Sequence, residues 1–270
     1  GSFNTSFGGG ALDENTTADM NSSFGYKSLT SNTTGEHNTA VGFEAMKDNT
    51  TGHTCTAIGS RALENMDAAY YNIGVGYYAG YGITTGSKNV CIGNESFGHA
   101  TCTGDSNVGV GYEALRSVTS GDNNIAIGLK AGYSTSPSGD ITTGSNSICL
   151  GNNDISNLYC ADTSISSSDS RDKTDVVNFT HGLNWINQLN PITYRWDKRT
   201  WYDDNTPDGS KKRNKKHIGF LAQDVLAIEG NPTNKDDMLI VNLNVDDTAY
   251  GLKYERLVPV LVNAIKELSA

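Results

Sequence analysis

The stretch "NTAVGFEAM", Asn38–Met46, is one of nine variants of a single pattern. Aligned on its glycine, the pattern recurs as "NTSFGGGAL" (4–12), "NSSFGYKSL" (21–29), "CTAIGSRAL" (55–63), "NIGVGYYAG" (72–80), "NVCIGNESF" (89–97), "NVGVGYEAL" (107–115), "NIAIGLKAG" (124–132) and a looser "SICLGNNDI" (147–155). The anchoring glycines Gly8, Gly25, Gly42, Gly59, Gly76 and Gly93 are 17 residues apart, and Gly111, Gly128 and Gly151 follow at 18, 17 and 23. A fixed period of this kind is the signature of stacked, nearly identical units.

The positions inside the unit restrict its structure. The residue before the glycine is large and apolar (Phe7, Phe24, Val41, Ile58, Val75, Ile92, Val110, Ile127, Leu150), and the one before that is small (Ala40, Ala57, Gly74, Cys91). Ala or Ser stands three after the glycine in eight of nine units, ahead of Leu, Met, Phe or Gly. β-branched residues beside Gly, with Asn and Thr-Gly between units, read as short strands joined by tight turns. Seventeen residues are too few for a pair of helices, so one coil of a parallel β-roll is expected per unit. Disorder does not need a large apolar residue in register nine times. Small residues at fixed positions let backbones approach closely, which points to several chains sharing one axis.

Working outward, composition agrees with a thin architecture: the 270 residues are 36% hydrophobic and include 30 glycines. Residues 1–167 carry 6 Lys+Arg against 15 Asp+Glu, and residues 168–270 carry 14 against 15. An acidic first part disfavours nucleic acid and anionic membranes as partners. The five cysteines show no CxxC spacing, and most read as small buried apolar residues. No apolar run reaches transmembrane length and no signal-peptide pattern is present, so no membrane insertion is expected. The chain begins inside a repeat, so a longer parent chain is expected.

The repeat units resemble the head repeats of trimeric autotransporter adhesins and similar repeats of viral and phage fibres. That likeness covers roughly residues 1–155 and implies a trimeric parallel β-roll, with a host-surface glycan or protein as receptor.

From Thr174 the sequence changes character. Leu183, Ile186 and Leu189 suit a short helix over about 182–189 that Pro191 ends, and "ITYRW" reads as a strand. "HIGFLAQDVLAI" (217–228) pairs a strand with a helix carrying Leu221, Val225 and Ile228, and "DDMLIVNLNVDDTAYGLKY" holds a strand and a hairpin. In "YERLVPVLVNAIKELSA" (254–270), Leu257, Leu261, Ile265 and Leu268 form an apolar stripe flanked by Val258, Val262 and Ala264, suited to burial between subunits. The basic run "KKRNKK" (211–216) reads as a solvated loop.

The order "SDSRDK" (168–173), "GLNWINQLNPITYRW", "GFLAQDV" and "YERLVPVLVNAIKEL" resembles the intramolecular chaperone of the endosialidase type, found at the C-termini of phage tail fibres and tailspikes. The resemblance covers about residues 166–270 and implies a homotrimer that registers the upstream β-structure and then cuts itself off. It implies Ser168 as nucleophile, Lys173 as general base, the Ser167–Ser168 peptide as the bond cut, and supporting roles for Asp169 and Arg171. Those two hold a turn or pair across subunits; the sequence leaves both open. A serine hydroxyl needs a base, and a lysine serves as one only when neutral. Bringing its free pKa of ~10.4 down by about 3 units takes roughly 4 kcal/mol of desolvation, which burial in a trimer can supply. Asp172 replaces an apolar residue common in the family and opposes that neutral state, the more weakly if an extended backbone turns the neighbours to opposite faces.

The expected organisation is therefore a mainly β part, 1–155, a linker with the cut site, 156–167, and a smaller α+β chaperone, 168–270, ending in a long helix. No metal and no cofactor are called for. The expected setting is a virion fibre or spike facing the extracellular medium, its chaperone released in the host cytoplasm. Two alternatives stay open: a permanent trimerisation cap that never cuts, and a glycan-degrading spike. The second needs paired acids across a cleft, whereas Glu44, Glu95 and Glu113 recur at one outward repeat position and read as solubilising.

Overall fold

The computed structural model describes residues 1–155, 157–158, 168–243 and 249–270. The chain divides into two compact units, Gly1–Ser156 and Asn157–Ala270.

The first unit is a parallel β-solenoid. Nine three-residue strands, β1 (Thr5–Phe7), β2 (Ser22–Phe24), β3 (Thr39–Val41), β4 (Thr56–Ile58), β5 (Ile73–Val75), β6 (Val90–Ile92), β7 (Val108–Val110), β8 (Ile125–Ile127) and β9 (Ile148–Leu150), form one sheet in sequence order. The register follows the repeat, with Ala40 opposite Ala57 and Val41 opposite Ile58. The first eight strands each stop at a glycine with φ between +114° and +140°, a backbone closed to other residues, while Gly151 after β9 has φ +69°. Gly42 has φ +140°, and a Cβ on it would lie 2.4 Å from the carbonyl oxygen of Gly59.

Strand alternation puts the small middle residue inside and the large apolar one outside. Ala40, Ala57, Cys91 and Ala126 are fully buried, while Phe24, Val41, Ile58 and Ile127 are exposed. The core's bulk comes instead from the residue four after the glycine: Leu29, Met46, Leu63, Phe97 and Leu115, all buried and all with positive φ. Size is matched between coils. A Cβ on Gly74 would lie 2.8 Å from Leu63 Cγ, and one on Gly109 would lie 2.6 Å from the Phe97 ring. The small residues thus make room inside one chain's own core.

A second column binds coil to coil. Four before each glycine stands Asn4, Asn21, Asn38, Cys55, Asn72, Asn89, Asn107, Asn124 or Ser147. The backbone N–H of Asn38 donates to Oδ1 of Asn21 (2.9 Å), that of Asn107 to Oδ1 of Asn89 (2.8 Å) and that of Asn124 to Oδ1 of Asn107 (2.9 Å). Each Nδ2 donates in turn to a turn carbonyl, as Asn89 does to Gly104 (2.9 Å). Backbone groups that a three-residue strand leaves unpaired inside the coil are satisfied by these amides. Cys55 interrupts the column, and its Sγ accepts from the N–H of Asn72 at 3.3 Å. Cys55, Cys91, Cys102 and Cys149 are buried free thiols; Cys160 lies outside the described residues.

The charged position corrects the expectation of a free solvated row. Glu44 pairs with Arg61 (3.1 Å), Glu95 with Arg116 (3.1 Å), and Glu113 with Arg116 (2.5 Å) and Lys130 (3.2 Å). Glu113 is only 5% exposed. Stacking at one coil's separation brings opposite charges from successive units together.

The second unit is a small α+β body. Helix α1 (Leu183–Ile186) leads into β10 (Ile192–Tyr194), which pairs antiparallel with β11 (His217–Gly219). Helix α2 (Ala222–Ile228) follows, then the antiparallel pair β12 (Val241–Leu243) and β13 (Tyr250–Leu252), and helix α3 (Leu257–Leu268). α1 is one turn, shorter than the expected 182–189, and Leu221 caps α2 rather than lying in it. Trp185, Val225, Met238, Ile240, Val241, Leu257 and Val260 make the core. α3 therefore buries Leu257, Val260 and Ala264, while Val258, Leu261, Val262, Ile265 and Leu268 of the expected stripe face solvent in the single chain. The basic run is largely exposed, but Lys211 lies over the Tyr202 ring at 5.2 Å and Arg213 over Trp201 at 4.8 Å. No helix among the described residues is long and apolar enough to cross a membrane.

Candidate active site

The segment 168–173 folds on itself. Asp169 has extended backbone (φ −65°, ψ 129°), and its Oδ1 accepts from the N–H of Arg171 at 3.0 Å, starting a 3-10 turn over Ser170–Asp172. A short side chain that accepts from the backbone two residues on is a common way to start such a turn. The Arg171 guanidinium then grips the same carboxylate, with Nε at 3.0 and 3.1 Å from its two oxygens and Nη2 at 2.5 Å. Those bonds hold the Asp169 carboxyl below the usual carboxylate range. Asp169 and Arg171 thus hold the turn within one chain.

The turn closes through the N–H of Lys173, which donates to the carbonyl of Ser170 at 3.4 Å. Its consequence is a side-chain contact across five residues: Lys173 Nζ lies 2.7 Å from Ser168 Oγ. An amine at that distance from a hydroxyl can exchange a proton with it. Both residues are exposed in the single chain. The extended backbone that would turn Asp172 and Lys173 to opposite faces is not what runs through Asp172: the structure has the 3-10 turn there, with extended dihedrals at Lys173. Ser167, one side of the expected scissile bond, lies outside the described residues, as does the side chain of Asp172.

Downstream, the recurring motifs touch one another. The N–H of Phe220 in "GFLAQDV" donates to the Tyr254 hydroxyl of "YERLVP" at 3.2 Å, and Arg256 Nη1 donates to the Leu239 carbonyl at 2.8 Å. A Cβ on Gly219 would come within 2.4 Å of that same Tyr254 hydroxyl. Two further residues escaped the sequence reading. Asn263 Nδ2 donates to the carbonyls of Phe179 (2.8 Å) and His181 (3.2 Å), and Glu267 Oε2 accepts from the N–H of Leu183 at 2.7 Å. Their partners are backbone groups 82–84 residues away, so no local pattern marks them.

No curated protein and no solved structure matches the chain. Residues 168–233 match the family model described as chaperone of endosialidase, a family that implies a self-cleaving serine-peptidase type of domain. The match begins at the serine that Lys173 touches, and residues 168–233 are thus similar to the chaperone domain of the endosialidase type.

Proposed function

We propose that this chain is the C-terminal part of a tail-fibre or spike protein of a virus. Its second unit joins three copies, guides the β-solenoids into register, and then releases itself by one cut per chain between Ser167 and Ser168. In that cut Ser168 Oγ attacks the Ser167 carbonyl carbon while Lys173 takes the hydroxyl proton. The Ser167–Ser168 C–N bond breaks, and Lys173 passes the proton to the departing Ser168 amine. Water then hydrolyses the Ser167 ester, leaving a carboxyl group and restoring the Ser168 hydroxyl. The observation that carries the reading is the 2.7 Å approach of Nζ to Oγ at the first residue of the family match. Asp169 and Arg171 support the dyad by closing the turn that makes the approach.

Exposure of the pair in one chain fits a cut that waits for assembly, since partner chains can supply the burial that activates such a dyad. Two surfaces fit subunit packing. One is the column ahead of the glycines, where Phe7, Phe24, Val41, Ile58, Ile92, Ile127 and Leu150 are 37–75% exposed; the other is the outer face of α3. A glycan-degrading reading gains no support, because the recurrent acids are engaged with Arg61, Arg116 and Lys130. The experiment is denaturing mass analysis of purified chain over time, alongside Ser168→Ala and Lys173→Met. Self-cleavage gives two fragments meeting at Ser167–Ser168 and one intact chain in both variants. A wild-type chain that stays whole in a stable trimer makes the unit a permanent cap instead.

A further inference from the structure

The hydrogen bonds of Ser168–Lys173 found among the described residues all close within that turn. The turn is joined to the body of its unit by the run 174–182, which has no helix or strand. That run is fastened at its far end by the last two turns of α3. Asn263 holds two of its carbonyls, at Phe179 and His181, and Glu267 holds the N–H of Leu183, the first residue of α1. The fit at Glu267 is close: a Cβ on Gly182 would lie 2.0 Å from its Oε1. Phe179 packs edge-on against His181, which stacks on the core residue Trp185. The exit direction of the segment carrying the dyad is therefore set by two side chains near the end of α3.

Resting on the self-cleavage reading, we infer that Asn263 and Glu267 are positioning residues for the cut, so that Ser168 and Lys173 become competent only when α3 has folded and docked. They touch no reacting atom. They act by fixing the backbone at 179–183, from which the dyad segment extends. The cut is thereby tied to residues 90 or more positions downstream, and a chain whose α3 is missing or undocked keeps its chaperone attached.

The test uses the full chain. Cleavage rate is measured for wild type, Asn263→Ala, Glu267→Ala, the double variant and Glu267→Gln, which keeps a carbonyl acceptor for the Leu183 N–H. Thermal unfolding and size are recorded for each, and hydrogen exchange of the Leu183 amide reports the clamp independently of any cut. Small misplacements of reacting groups cost up to about 100-fold, so the double variant is expected to cut at least ~10-fold more slowly. Its unfolding temperature and oligomer size stay near wild type, Leu183 exchange is faster, and Glu267→Gln recovers most of the rate. If the double variant loses its fold, the single Asn263→Ala carries the comparison. Folded variants with exposed Leu183 amides and unchanged cutting overturn this inference alone. So does a slow Glu267→Gln with a protected Leu183 amide. A wild-type chain that never cuts overturns the self-cleavage reading and this inference with it.

Discussion

Replacing Asn89 by Ala removes one rung from the middle of the amide column. Asn89 is fully buried. Its Oδ1 accepts from the N–H of Asn107 at 2.8 Å and from Asn107 Nδ2 at 3.2 Å, and its Nδ2 donates to the carbonyl of Gly104 at 2.9 Å. The substitution orphans the Asn107 N–H inside the coil and leaves the Gly104 carbonyl only a long, weak contact from Cys102 Sγ at 3.9 Å. A buried polar group left without a partner costs about 1–3 kcal/mol, so the two together cost about 2–6 kcal/mol. Because each coil touches only its neighbours, the loss falls on one interface of the stack, and the solenoid should unfold in two steps that part near residues 89–107. Urea unfolding followed by circular dichroism, with hydrogen exchange to locate the break, is the assay. Lys88→Ala, next door but outward-facing, is the control and should stay within about 0.5 kcal/mol. A loss under about 1 kcal/mol for Asn89→Ala, or one equal to that of the control, refutes the idea that the column holds the coils together.

Three further outcomes follow from the same structure. Gly42→Ala forces a side chain onto a backbone at φ +140° with a carbonyl 2.4 Å away, and should cost more than about 3 kcal/mol in urea unfolding; a near-neutral result contradicts the described coil contact. Burial pushes the thiols of Cys55 and Cys102 up to about 11 and raises that of Cys91 well above the ordinary thiol value. Alkylation at pH 8, read by peptide mass, should therefore spare all three in the native chain and reach them in urea; rapid native labelling would show the solenoid core to be open. Asp169, held below its ordinary range by Arg171, has a lower pKa folded than unfolded. Its contribution is complete above the unfolded value of ~3.9 and fades as pH falls through the folded one. An NMR titration of that carboxyl with a midpoint at or above the free-peptide value would contradict the closed turn.

What the sequence determined by itself was whatever repeats or stays local. A glycine every 17 residues needs no partner to be recognised, because a forced backbone turn recurs wherever the residue does. The Ser168–Lys173 approach is also local, since Asp169 starts the turn two residues before Arg171 and five residues span the pair. Tertiary structure decided which residues fill the core. Leu63 and Phe97 fill it from the position four after the glycine, while Val41 and Ile58 face outward, because the size match to Gly74 and Gly109 operates between coils. It also decided that Glu113 is buried and ion-paired rather than free, because Lys130 of the next coil joins the local partner Arg116 three residues on. The grip of Asn263 and Glu267 on residues 179–183 was invisible for the same reason. Backbone acceptors and donors carry no residue identity, so a side chain that seeks them across more than 80 positions leaves no trace in the sequence between.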